Sequence, residues 1–118
     1  MEKVINIHTS GEQIELSQGK YKVDILGGWG VELGSFSMKL KNSATQEEVE
    51  CKKAIWPVQT YAYKKRAKRI LNFKITNDGL YTIVFNRPET VRLKRSNLII
   101  LSLFQDPIDT NDIEIHIH

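Results

Sequence analysis

Cations and aromatic rings meet in one short stretch of this chain. Lys64-Lys65-Arg66-Ala67-Lys68-Arg69 carries five cations in six residues, and Trp56, Tyr61 and Tyr63 lie just before it. Lysine and arginine neutralise phosphates, and a neighbouring ring offers a face on which an unpaired base stacks. The chemistry this pattern could serve is binding of nucleic acid. The competing reading is a solvated connection between strands, whose charge keeps flanking apolar segments from aggregating. A second basic set, Arg87, Arg92, Lys94 and Arg95, extends the patch if both segments share one end of the fold. Trp29 stands in Gly27-Gly28-Trp29-Gly30. An exposed indole there stacks on a sugar or anchors a partner, whereas one folded back closes the core, which is the favoured expectation.

The other reactive side chains do not assemble into a catalytic set. His116 and His118 alternate with isoleucines and so share one strand face, an arrangement that lets two imidazoles chelate zinc or copper. No third ligand is evident, so neither a metal nor any other cofactor is expected. If the first and last strands pair antiparallel, His8 falls opposite the start of the last strand, away from the pair; a parallel pairing brings all three histidines closer. Asp106, Asp109, Asp112 and Glu114 form an acidic stretch without the ligand spacing or turn glycine of an EF-hand, and read as a polar loop. Cys51 is the sole cysteine, which forbids an intrachain disulfide; it is expected to point inward as a small apolar residue. There is no Gly-x-Ser-x-Gly, His-x-x-x-His or Cys-x-x-Cys, and Gly28, Gly30 and Gly34 have neither dinucleotide nor P-loop spacing. An enzyme is not expected.

The elements that must position these groups are strands. Apolar residues recur at every second position in Ile5–Ile7, Tyr21–Ile25, Phe36–Leu40, Leu71–Ile75, Tyr81–Phe85 and Ile113–Ile117, which gives each strand one wet and one buried face. Shorter strands are expected at Glu12–Leu16, Glu48–Lys52 and Ile55–Tyr63, with Pro57 at an edge or bulge. Leu98–Phe104 is apolar on both faces and reads as a central or covered strand. Turn dipeptides such as Ser10-Gly11, Gln18-Gly19 and Asp106-Pro107 separate the runs. Helix signals are poor: Thr45 followed by Glu48 has the capping-box pattern, and Lys64–Leu71 is the other candidate, yet neither has an apolar stripe. The expected core comprises Ile5, Ile7, Tyr21, Val23, Ile25, Phe36, Met38, Leu40, Phe73, Ile75, Tyr81, Ile83, Phe85, Ile99, Leu101, Ile113 and Ile115.

With 118 residues the chain has room for one domain and one core. Apolar residues at 41% and charged ones at 26% argue against disorder. A net charge of +3 is too small to hold a polyanion globally, so only a local cluster could do so. The first residues lack the apolar run of a signal peptide and no stretch is long enough to span a bilayer, so a cytoplasmic, soluble chain is expected.

Within residues 69–86, Asn77-x-Gly79-x-Tyr81 resembles the tyrosine corner of Greek-key sandwiches, with Gly79 expected to supply a positive φ. A plain hairpin is the alternative. The same stretch is similar to the closing half of small interaction sandwiches of the GOLD and prepeptidase C-terminal types. That resemblance implies a non-catalytic module binding a protein or glycan, and transfers no binding residue. The reading is thus an all-β, mainly antiparallel two-sheet sandwich of Greek-key or jelly-roll type, with about eight strands. Its leading function is that of an interaction module with a protein partner, including itself. Nucleic-acid binding through Lys64, Lys65, Arg66, Lys68 and Arg69 is the runner-up, and carbohydrate binding through Trp29 or Trp56 the third.

Overall fold

The computed structural model describes residues 3–54, 58–63, 65–94 and 112–118. Among them are twelve strands, one 3-10 turn (Pro88–Thr90) and no α-helix. The strands are β1 (Lys3–Asn6), β2 (Gln13–Leu16), β3 (Gly19–Leu26), β4 (Gly30–Glu32), β5 (Ser37–Asn42), β6 (Glu48–Glu50), β7 (Lys52–Lys53), β8 (Gln59–Ala62), β9 (Lys65–Ile75), β10 (Gly79–Asn86), β11 (Arg92–Lys94) and β12 (Glu114–Ile117). No helix among the described residues is long and apolar enough to cross a membrane.

Two antiparallel sheets pack on one another as a sandwich. One runs β1-β12-β3-β9-β7, with β8 also paired to β9; the other runs β2-β10-β5-β6. A ribbon of β4 and β11 completes the pairing. The two-residue rhythm has the expected consequence. Val23 and Ile25 of β3, Ile115 and Ile117 of β12, and Phe73 and Ile75 of β9 are buried, as are Met38 and Leu40 of β5 and Tyr81, Ile83 and Phe85 of β10. Ile14, Leu16, Val91 and Leu93, which also alternate with polar neighbours but are absent from the expected core, join it, and Tyr21 lies against it half-buried. The expected strand Leu98–Phe104 and the core residues Ile99 and Leu101 lie outside the described residues, as do Pro57, Asp106 and Asp109.

Several local expectations are corrected. From Lys65 on, the stretch expected as helix or loop is strand β9, because β3, β7 and β8 supply it with ladder partners along its length. The turn after β5 is built by Asn42, whose Oδ1 accepts from the Ala44 and Thr45 amides at 2.9 and 3.0 Å, so no helix starts at Thr45. Glu48–Lys52 is not one strand. It passes from the second sheet (β6) to the first (β7) at Cys51, forming a corner between them. The tyrosine corner is present: the buried Tyr81 hydroxyl donates to the Asn77 carbonyl at 2.7 Å. Gly79, however, does not have a positive φ. A Cβ there would come within 3.1 Å of the Asn42 side-chain amide, which would have to give way slightly.

A shift in register decides what faces what on β9. Val23 pairs with Leu71, but Asp24 pairs with Arg69, so Ile70 is the extra residue of a β-bulge. Ile70 and Leu71 are thereby both buried, and Arg69 lands directly across from Asp24.

Candidate functional site

The β8–β9 hairpin gathers most of the residues in the aromatic and cationic stretch. Tyr61 pairs with Arg66 across the ladder and Ala62 with Lys65. The loop after β3 brings Trp29 against them. Its ring meets Tyr61 edge-on at 5.5 Å, the Arg66 guanidinium lies 4.5 Å from its centroid, and its Nε1 donates to the Thr60 carbonyl at 3.3 Å. Trp29 is therefore not a lid on the core, as expected; it braces the hairpin. Lys68 donates to the Trp29 carbonyl at 3.1 Å. Of the second basic set, Lys94 pairs with Gly30 in the ribbon and so reaches this end of the fold, while Arg92 donates to the Glu89 and Val91 carbonyls. Arg87 instead pairs with Glu89 at 2.7 Å, and that hydrogen bond holds the Glu89 carboxyl below its usual range. Trp56, Lys64 and Arg95 lie outside the described residues.

The same geometry disperses the cations as a phosphate-binding row. Side chains alternate along β9, so Lys65 and Arg69 leave on one side and Arg66 and Lys68 on the other. Lys65 pairs with Glu114 at 3.0 Å and Arg69 with Asp24 at 3.3 Å. What the hairpin offers outward is aromatic: Tyr61 is 65% exposed and Tyr63 55%.

Free cations cluster elsewhere. An open groove of about 610 Å³ over β3, β7 and β9 is lined by Lys20, Lys22, Lys52 and Lys74, with Tyr21 and Glu50 among the other walls. Lys20 stands directly opposite Lys74 in the ladder. Like charges so placed repel, and a bound anion relieves the repulsion. Sequence reasoning missed this set because its members are scattered through the chain and only the register unites them.

A third group, Asp24, His116 and His118, is largely buried. Asp24, with only 2% of its side chain exposed, is held by Arg69 Nε at 3.3 Å from Oδ1 and by His118 Nε2 at 2.8 Å from Oδ2. His116 pairs with Asp24 across the β3–β12 ladder, and His118 stacks on His116 at 4.5 Å with the rings 14° from parallel. Tyr63 meets His116 edge-on at 5.1 Å, from a backbone with φ of 51°, in the left-handed region that costs a tyrosine strain. His8 is remote from the pair, because β1 and β12 are antiparallel with Lys3 opposite Ile117. Cys51 lies half-buried against the core, and burial pushes its thiol up to about 12, which leaves it a poor nucleophile. No known protein family, curated protein or solved structure matches this chain, so the site is read from its own geometry.

Proposed function

We propose that this chain is a non-catalytic interaction module that binds a protein partner, in the simplest case a second copy of itself, through the β8–β9 hairpin. One observation carries the reading. Among the described residues four large apolar side chains are exposed, and three of them, Val58, Tyr61 and Tyr63, fall within one short segment. Among the described residues that segment's strand pairs only with β9, so it is an edge. Edges bearing apolar side chains recruit further strands, and Tyr, Trp and Arg are the residue types that dominate binding energy at interfaces. The resemblance of residues 69–86 to GOLD-type and prepeptidase-type sandwiches supports the same class of function. Size exclusion with light scattering should show mass rising with concentration, and Tyr61→Glu should return it to the monomer. A parent protein that stays monomeric at its highest soluble concentration would count against self-association.

A second reading is favoured by the lysine groove: a single-stranded nucleic acid bound over β3 and β9. Lys20→Ala with Lys74→Ala should then weaken binding to a single-stranded oligonucleotide and lower the salt slope by about 0.7 for each phosphate no longer neutralised. Lys65→Ala should have little effect, since its charge already pairs with Glu114. Absence of binding at low salt removes this reading.

A further inference from the structure

We infer that Asp24, His116 and His118 form a binding site for a divalent cation of the zinc class. The two histidines stand in the sequence as a pair without a third donor; the fold supplies it. Asp24 stands opposite His116 in the β3–β12 ladder, and alternation places His118 on the same face, two residues on. One donor atom from each of the three residues can be chosen so that all lie within 4.8 Å of one another.

The chemistry of the set suits that cation. Two imidazole nitrogens and one carboxylate oxygen are the ligands borderline metals take, and three protein ligands leave a fourth position for water or a further group. Ligand atoms about 2.0–2.1 Å from a tetrahedral ion sit about 3.3 Å apart, so closing the site needs shifts of about 1 Å, within the reach of side-chain torsions. Two of the three donors are also braced. Arg69 engages Asp24 Oδ1 and so fixes the carboxylate with Oδ2 turned toward His118, the outer-shell arrangement that orients a ligating oxygen. The ring of Tyr63 covers His116 on one side. His118, with 29% of its side chain exposed, gives an entering ion a path from solvent. Binding would replace the His118–Asp24 hydrogen bond by two bonds to the metal: Nε2 gives up its proton, to solvent or by the shift of the neutral ring to its Nδ1–H tautomer, and its lone pair becomes the donor.

The site is independent of the hairpin and groove readings and survives if either fails. The test is calorimetric titration of the chelator-stripped 118-residue chain with Zn²⁺, and with Co²⁺ to read coordination by its visible absorption. One equivalent of Zn²⁺ should bind saturably. His118→Gln, at the most exposed ligand, should keep the circular dichroism of the parent and weaken binding by at least about tenfold, the loss that even an outer-shell change can cause. His8→Gln, at a histidine outside the cluster, should bind as the parent does. Absence of saturable binding, or equal affinity in parent and His118→Gln, would overturn the assignment. So would a Co²⁺ spectrum unchanged from that of the aqueous ion.

Discussion

Replacing Arg69 by methionine should cost the fold about 3 kcal/mol, and the structure says why the figure is neither 1 nor 5. Asp24 retains only 2% of its side-chain exposure, so its carboxylate has left water and depends on the groups around it. Removing one partner of a buried pair costs about 3–5 kcal/mol, because the other charge stays behind without compensation. Two facts place this case at the lower end. Arg69 is itself 19% exposed, so part of its attraction is screened, and His118 still holds the second carboxylate oxygen at 2.8 Å. Methionine occupies much of the arginine stem, so little cavity is added. The assay is urea unfolding in chelator-containing buffer. A slope of about 2 kcal/mol per molar urea turns the loss into a fall of about 1.5 M in the midpoint. Asp24→Leu should lose a similar amount. The double variant should lose less than the sum by about 2 kcal/mol, since no orphaned charge remains. A midpoint shift below about 0.3 M for Arg69→Met, or strict additivity in the cycle, would refute the claim that this pair is coupled in the folded state.

Tyr81→Phe removes the 2.7 Å hydrogen bond to the Asn77 carbonyl and leaves the ring in place. It should cost about 1 kcal/mol and lower the melting midpoint by about 4 °C, read by calorimetry. Ile83→Asp puts a charge where exposure is 0%, opposite Leu40 in the ladder, and should abolish cooperative unfolding in a urea melt. The Cys51 thiol titrates near 9.0 in the unfolded chain and is raised to about 12 in the fold. Between those values the folded state keeps the proton that the unfolded state has lost. Stability should therefore be level below pH 9 and fall above it, by up to about 1.4 kcal/mol per pH unit. Comparing urea melts of the parent and Cys51→Ala at pH 8 and pH 10 isolates that slope, which the variant should lack.

The sandwich was legible because its signal is local. Whether Ile83 or Phe73 faces inward is decided by neighbours two residues away, and period-two alternation records it directly. Alternation marks the first and last strands but not their partners; that they pair antiparallel is given by the ladder. The sites were harder for a physical reason. Asp24 reads locally as one more polar residue between Val23 and Ile25; only the ladder register shows that it faces His116. The bulge at Ile70 carries no turn residue to announce it, yet it sets which cations of β9 share a face. The cation cluster is conspicuous in the sequence, and the strand that contains it splits it between two sides. Trp29 and Tyr61 both stand out by residue type, but their meeting depends on a loop-to-hairpin approach that spacing does not encode.

The corner at Cys51 has a consequence for how the molecule opens. Glu48–Glu50 and Lys52–Lys53 belong to different sheets but are separated by a single residue, whose amide donates to the Met38 carbonyl at 3.2 Å. The two layers are thus stitched by backbone and cannot slide or part without tearing ladder bonds on one side. Amide hydrogens in both layers should accordingly exchange as one cooperative unit, not as two independently breathing halves.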